Sequence, residues 1–286
     1  MNSSAIARRR STSPWPLRLS ALLTVTILAL IVLFVFAEAW PALRDIGLPR
    51  FFTDPTWHPT SGSYGALPMV VATLATTSLA VAIALPTGLL CAVYANFHAP
   101  PRIGRALRAV VELLAGIPSV VYGFWALMTI VPMLARVEPP GSSLLAGALV
   151  LAVMILPTVV LVIDQALREL PRELAFGAAA LGMSRGAAVW RIFVPAVRRS
   201  IGTASILGAA RALGETMAVL LVCGNEVRFP SSPFDSVRTL TANIALEMAY
   251  ALDDHRAALF ATGALLLLLV GGLVLAIELI ERRTTP

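Results

Sequence analysis

The residues with the clearest chemical potential are Arg211 and Glu215, which lie four positions apart inside an otherwise apolar stretch. That spacing places both side chains on one face of a helix. A charged side chain at the centre of a membrane helix costs about 2.5–3.5 kcal/mol, so such residues usually face a bundle interior or a watery path. A guanidinium can bind an anion bidentately, and a carboxylate can accept a hydrogen bond from an anion that still carries a proton.

Two interpretations of this pair remain open. In the first, Arg211 and Glu215 form an ion pair that neutralises itself and locks one packing arrangement of the helices. In the second, Arg211 lines a translocation path, and Glu215 orients it or contacts the substrate. The second interpretation suits a partly protonated anion such as inorganic phosphate better than fully ionised sulfate.

Composition argues against catalysis by the chain itself. All 22 basic residues are arginines, so a nucleotide-binding P-loop is excluded because it needs a lysine. The two cysteines, Cys91 and Cys223, and three scattered histidines predict neither a disulfide framework nor a metal site. An intramembrane protease would need a nucleophile with histidine, or paired aspartates, at bilayer depth, and the sequence favours neither. We therefore expect no enzyme activity, no metal and no cofactor.

The elements that must position Arg211 and Glu215 are membrane helices. Hydrophobic residues make up 58% of the 286 residues, gathered in runs near the roughly 20 residues that a spanning helix requires. Backbone groups in lipid must be satisfied internally, and the runs lack the alternation of a barrel strand, so the fold class is all-α. Six transmembrane helices are predicted, at about 17–37, 67–95, 107–134, 144–163, 201–223 and 257–280.

Prolines and polar segments divide the chain further. Pro86, Pro118 and Pro157 should kink or break their helices, and Pro118 lies close to glycines on both sides. Residues 1–66 are predicted to form a polar N-terminal arm, a first helix and an outer loop. Residues 67–280 form the main helical domain, and 281–286 form a tail. The first apolar run is longer than the core of a signal peptide, which favours a retained anchor.

Arginine placement predicts the orientation of the chain. Fifteen arginines lie at the two termini and the second and fourth connections, whereas six lie on the opposite side. Cytoplasmic loops carry the excess of basic residues, so both termini are predicted to be cytoplasmic. The net charge of +6 is thus explained by membrane orientation and does not indicate nucleic-acid binding.

The most arginine-rich connection, residues 167–199, is predicted to be a cytoplasmic helix, a glycine turn at Gly182 and a second helix. Small residues around Gly177 and Ala178 would let another surface approach closely. Composition alone leaves two interpretations open: a connector lying on anionic membrane lipid, or a docking element for a protein.

This connection resembles the "EAA loop" of permeases of ABC importers, whose pattern is Glu-Ala-Ala, three residues, Gly, nine residues, Ile, one residue, Leu-Pro. The matching positions are Ala178, Gly182, Ile192 and Pro195. The chain departs from the pattern at Phe176, which replaces the Glu, at Gly177 and at Val194. The resemblance implies a type I ABC importer permease bundle in which residues 167–199, here named the coupling loop, contain the coupling helix that fits a groove of an ATP-hydrolysing subunit. The loss of the acid removes one polar contact unless Glu173, one turn earlier, supplies it. We therefore expect docking that is mainly apolar and shape-based.

Further blocks resemble the PstC permeases of phosphate-specific ABC importers. These blocks are YGALPMVVATLATT from Tyr64, ELLAGIPSVVYGFW from Glu112, MILPT from Met154, RALGETMAVL from Arg211 and FDSVRTLTANIALEM from Phe234. The resemblance implies phosphate import through the bacterial inner membrane, with Arg211 and Glu215 in the substrate path. It also implies as partners a second permease (PstA-like), two ATP-binding subunits (PstB-like) and a periplasmic phosphate-binding protein (PstS-like).

Weaker expectations concern single residues and rival functions. Ser119 and Tyr122, beside Pro118, could line the path, although small residues there more often serve helix packing. Asp235 and Arg238 are candidates for contact with a periplasmic binding protein. Glu112 is expected to pair with Arg108, four residues earlier, and Asp164 is expected to reach the membrane interface at the end of the fourth span. The rival functions are a permease for molybdate or sulfate with the same architecture and a stand-alone secondary transporter.

Overall fold

The computed structural model describes residues 15–282, and nearly all of its regular structure is helical. The α-helices are α1 (Trp15–Ala42), α2 (Leu48–Thr53), α3 (Leu67–Val93), α4 (Pro101–Ala115), α5 (Ser119–Ala135), α6 (Leu144–Arg168), α7 (Arg172–Ala180), α8 (Arg185–Ala188), α9 (Val194–Ala196), α10 (Arg198–Leu213), α11 (Met217–Val222), α12 (Leu240–Glu247) and α13 (Asp253–Arg282). Two short antiparallel strands, β1 (Trp57–His58) and β2 (Ser63–Tyr64), form a hairpin before α3.

The all-α membrane fold is confirmed, but the six predicted spans are not all continuous helices. Within residues 15–282, four helices are long and apolar enough to cross a membrane: Leu17–Asp45, Leu67–His98, Leu144–Arg168 and Asp253–Ala276. The predicted third span is a bent pair, because α4 and α5 meet at 97° around Pro118. The predicted fifth span is not among the spanning helices of residues 15–282, because α10 ends at Leu213 and α11 begins at Met217. The count of six spanning helices is therefore not confirmed.

The central helix of the bundle is α6, which packs along α3 and α10 and also touches α4, α5 and α11. Small residues allow these close approaches. A Cβ atom added to Gly88 of α3 would lie 2.6 Å from Cγ1 of Val159 on α6. Gly208 of α10 faces the same valine, where an added Cβ would lie 3.4 Å from Cγ2. Val159 thus fills the space that two glycines leave open.

The first helix lies at the edge of the bundle. The apolar window of α1 is not buried, and α1 packs mainly against α13, where the rings of Phe34 and Phe260 meet edge to face at 5.6 Å. An exposed apolar helix of this length is the expected form of a lipid-facing span.

Candidate functional site

The two charged residues of the predicted path lie at a break between helices. Arg211 is in the last turn of α10, whereas Glu215 lies between α10 and α11. Oε1 of Glu215 accepts a hydrogen bond from the amide of Ala218 at 3.2 Å and so holds the first turn of α11. The expectation that both residues share one face of a single helix is therefore wrong.

The self-neutralising ion pair is not present either. No nitrogen–oxygen contact within 4.0 Å joins Arg211 to a carboxylate in the part of the chain that the structure describes. The side chain of Arg211 is exposed on the bundle surface, and Glu215 is half-buried. A guanidinium without a carboxylate partner among residues 15–282 can bind an anion.

Tyr122 and Ser119 lie on α5, immediately after the bend. The hydroxyl of Tyr122 donates a hydrogen bond to the carbonyl of Leu114 at 2.8 Å, which bridges the bend from α5 to α4. Ser119 is half-buried at the start of α5. Tyr122 therefore stabilises the bend between α4 and α5.

The helix α5 packs directly against α11. A Cβ atom added to Gly123 would lie 2.8 Å from the Cα of Ala218, so the two backbones are in near contact. The bend at Pro118 and the break at Gly214 thus lie at the ends of two helices that pack together. Ser119 and Tyr122 follow the bend, and Arg211 and Glu215 flank the break.

Sequence reasoning missed the residues that hold this break from the other side. The hydroxyl of Thr241, on α12, donates a hydrogen bond to the carbonyl of Glu215 at 2.7 Å. The amide of Leu240 donates to Oγ1 of Thr73 on α3 at 3.0 Å. A Gly-x-Thr pattern at 214–216 is a helix stop followed by a helix start, which could have predicted the break but not its partners.

The opposite end of α12 is held by the buried carboxylate of Glu247. It accepts hydrogen bonds from Nε1 of Trp57 at 2.8 Å and from Arg238 at 2.7 Å, and His255 Nε2 lies 2.8 Å away. The side chain of Arg238 is 19% exposed. The charge of Arg238 is therefore paired within the chain, and its contact with a binding protein stays a prediction.

The neighbouring Asp235 also serves the loop itself. Its carboxylate accepts hydrogen bonds from the hydroxyl and amide of Ser231 and the amide of Ser232, and it pairs with Arg228 at 2.8 Å. The hydrogen bonds from Ser231 and Ser232 lower the pKa of Asp235 below its ordinary value. The carboxylate thus stabilises the loop between α11 and α12.

A second buried carboxylate, Asp164, lies near the end of α6 that leads into the coupling loop. It accepts hydrogen bonds from Nε of Arg108 at 2.9 Å and from Asn96 at 2.7 Å, and it pairs with Arg168 at 3.0 Å. The sequence predicted instead that Arg108 pairs with Glu112 and that Asp164 reaches the membrane interface. The expected Arg108–Glu112 pair is wrong, because Arg108 binds Asp164, which is only 5% exposed and holds three elements together. The position of Asp164 relative to the membrane interface stays a prediction.

The coupling loop has the predicted helix, glycine turn and helix. The first helix is α7, and Gly182 adopts a φ of +65° in the turn that follows. The second helix runs through α8, a π-helical turn at Val189–Phe193 and α9. Phe176 is 71% exposed and Leu181 is 78% exposed, while Ala178 is buried against the rest of the loop.

The remaining motif positions lie on the second half of the loop. Ile192 is half-buried within the π-helical turn, and Pro195 is exposed in α9. Gly177 is exposed on α7, where a side chain would meet no atom within 4 Å. Phe176 and Gly177 are therefore among the exposed residues of α7, and the exposed Leu181 follows directly after the helix.

Comparison with known families decides the identity of this architecture. Residues 84–286 match the family described as "Binding-protein-dependent transport system inner membrane component". The chain belongs to this family. It is thus a multi-pass component of the inner membrane and of an ABC transporter, as the coupling loop predicted.

Individual relatives of this inner membrane component are phosphate permeases and related ABC permeases. The chain is 33% identical over 282 residues to the phosphate transport system permease protein PstC of Mesorhizobium japonicum, covering 91% of this chain and 86% of the relative. It is 43% identical over 205 residues to the probable ABC transporter permease protein YqgH of Bacillus subtilis, covering 70% of this chain and 66% of the relative. The resemblance to PstC permeases is confirmed.

The fold of the inner membrane component is shared with a more distant permease structure. A bacterial alginate ABC transporter, solved in complex with its pentasaccharide-bound periplasmic protein, aligns with a TM-score of 0.67 at 15% identity. The alignment covers 94% of this chain and 95% of the other. At this identity the likeness concerns the fold alone.

Proposed function

We propose that this chain is the permease subunit of an ATP-driven importer that moves inorganic phosphate across the bacterial inner membrane. The observation that carries the proposal is Arg211, an arginine inside a predicted span with no carboxylate partner among residues 15–282. The phosphate permeases among its relatives support the choice of substrate.

The chemistry of phosphate fits the surroundings of Arg211. Near neutral pH phosphate is an anion that retains a proton, so it offers oxygens to a guanidinium and a hydroxyl to an acceptor. Arg211 supplies the guanidinium. Glu215, two residues beyond the end of α10, orients Arg211 or accepts the hydroxyl of phosphate. Ser119 and Tyr122 complete the proposed path at the start of α5.

The chain has no nucleotide-binding loop of its own, so ATP is hydrolysed by partners. We propose two ATP-binding subunits, a second homologous permease subunit and a periplasmic phosphate-binding protein as those partners. The coupling residues are Phe176, Gly177, Ala178, Gly182, Ile192 and Pro195. In this arrangement both termini and the coupling loop are cytoplasmic. Closure of the ATP-binding subunits pushes α7 and shifts α10 and its neighbours between outward-open and inward-open states.

The test is uptake of radiolabelled phosphate by the assembled complex in proteoliposomes. Arg211→Ala should lower uptake about 10- to 100-fold, because a charge-assisted hydrogen bond contributes roughly 1.5–3 kcal/mol. The control is Arg136→Ala, an exposed arginine in the loop after α5. Equal uptake by wild type and Arg211→Ala would show that the path assignment is wrong.

Competing anions test the substrate separately. An excess of unlabelled phosphate should abolish uptake, whereas sulfate and molybdate should compete only weakly. Strong competition by either oxyanion would favour a permease of the related type. Phosphate movement by the purified chain alone, driven by an ion gradient, would favour a secondary transporter.

A further inference from the structure

The helix α12 spans the distance between the outer loops and the break beside Arg211. It has 8 residues, and the side chains of Leu240, Thr241, Asn243 and Glu247 are buried. At 1.5 Å per residue it is about 12 Å long. A buried helix of this length, fixed at both ends, can transmit a displacement from one end to the other.

Its inner end is fixed by two hydrogen bonds to different helices. The amide of Leu240 is bound by Thr73 of α3, and the hydroxyl of Thr241 is bound to the carbonyl of Glu215. That carbonyl lies between α10 and α11, where the helical hydrogen-bond ladder is interrupted. A carbonyl at such a break needs a donor from outside the helix, and Thr241 supplies it.

Its outer end is fixed by the carboxylate of Glu247. The partners of this carboxylate come from the outer hairpin (Trp57), from the segment before α12 (Arg238) and from α13 (His255). Glu247 is 6% exposed, so these contacts are shielded from solvent. The outer loops and the break beside Arg211 are thus joined through one short helix.

We propose that α12 is a strut that sets the position of the 214–216 break beside Arg211, and that Thr241 is a positioning residue for that break. The role of Arg211 rests on the proposed function. Thr241 does not touch the substrate in this scheme. It holds the Glu215 backbone, and therefore the start of α11, at the spacing from α10 that transport requires. Movement of the outer loops reaches the break through Glu247 and α12.

The first test compares three variants in the assembled complex. Thr241→Val removes the hydroxyl at nearly constant shape, and Thr241→Ser keeps a hydroxyl. Thr262→Val is the matched control, because Thr262 is equally buried but donates only to Ala258 of its own helix at 3.0 Å. Thr241→Val should lower the number of anions imported per ATP hydrolysed about fivefold or more, because the carbonyl of Glu215 loses its hydrogen-bond donor. Thr241→Ser should restore most of it, and Thr262→Val should leave it unchanged.

A second measurement separates positioning from a general loss of structure. Amide hydrogen exchange at residues 214–218 should rise in Thr241→Val, while exchange along α3 and α6 and the yield of complex stay at wild-type values. If Thr241→Val lowers both the number of anions imported per ATP hydrolysed and the yield of complex, the proposal is overturned in favour of a merely structural role. Equal coupling in Thr241→Val and Thr262→Val would also overturn it.

A double variant tests the strut itself. If α12 acts as one body, combining Thr241→Val with Glu247→Gln should lower the number of anions imported per ATP hydrolysed no further than the more severe single variant does. Either change disconnects the same helix from one of its two ends. Additive losses would contradict a strut. A wild-type complex that moves sulfate or molybdate would overturn the phosphate assignment, and the same comparison is then made with that anion.

Discussion

The carboxylate of Asp164 lies 2.9 Å from Nε of Arg108, which ties α4 to the central helix α6. The helix α4 leads into the 97° bend at Pro118, and α6 leads directly into the coupling loop. The same carboxylate pairs with Arg168 and binds Asn96 after α3. One buried charge therefore connects the bent span, the second predicted span and the segment that is proposed to meet the ATP-binding subunit.

Asp164→Asn should strongly destabilise the chain, because it removes the countercharge from Arg108 while that side chain is 19% exposed. Breaking a buried ion pair by removing one partner costs about 3 kcal/mol or more. The measurement is the thermal unfolding of the purified complex in detergent. Arg168→Ala should have a much smaller effect, because the Arg168 side chain is 50% exposed and such pairs contribute about 1 kcal/mol or less. Equal losses in both variants would contradict the central role of Arg108.

Gly88→Ala should destabilise the packing of α3 on α6, because the new methyl group would lie 2.6 Å from Cγ1 of Val159. Overpacking of this kind costs about 1–3 kcal/mol. Adding Val159→Ala should recover part of the loss by making room for the methyl group. Gly202→Ala on α10 is the control, because nothing lies within 4 Å of its added atom. The stability of the wild type, the two single variants and the double variant is compared by the amount of folded protein that remains after a fixed heat step.

Gly182 should tolerate asparagine but not valine. Its φ of +65° lies in the left-handed region, which costs a residue with a Cβ roughly 1–2 kcal/mol and a β-branched residue more, whereas asparagine adopts it more readily. Gly182→Val should distort the turn after α7 and lower ATP-coupled uptake, and Gly182→Asn should retain most of it. No atom lies within 4 Å of an added Cβ, so the added side chain meets no neighbour. A loss of uptake in Gly182→Val but not in Gly182→Asn therefore reports on backbone conformation. Full uptake by Gly182→Val would show that this turn is not needed for coupling.

Phe176 should matter for coupling and not for folding. Because its side chain is 71% exposed, Phe176→Ala should change the free energy of unfolding by only about 0.5 kcal/mol or less. If docking is apolar, Phe176→Ala should reduce recovery of the ATP-binding subunit with the permease, and Phe176→Leu should preserve it. Co-purification at several salt concentrations measures this. A better recovery with Phe176→Glu than with Phe176→Leu would contradict apolar docking.

Local patterns were sufficient for several parts of the fold. Runs of apolar residues located the four continuous helices that are long enough to cross a membrane within residues 15–282. Pro118 predicted the interruption between α4 and α5, and Gly182 predicted the turn of the coupling loop. The Thr239 cap of α12, which accepts a hydrogen bond from the amide of Ala242 at 3.2 Å, also follows from neighbouring residues. In each case the determining interaction lies within a few residues of the chain.

The partners of the charged residues were decided by the tertiary structure. Arg108 was expected to pair with Glu112, four residues away, but it binds Asp164, which is 56 residues away. Trp57 and Glu247 are 190 residues apart and meet at 2.8 Å. The apolar pattern that sends a helix into the membrane does not depend on which helix becomes its neighbour.

The same distinction applies to Arg211 and Glu215. The sequence alone placed two charges, four residues apart, in the largely apolar run at 201–223. Only the tertiary structure decided that the helix breaks between them, since the break is held by Thr241 from α12 and by the packing of α11 on α5. The periodicity of apolar residues along one segment determines which faces of a helix are buried. A break in a helix depends instead on hydrogen-bond donors and packing contacts from residues that are distant in the chain.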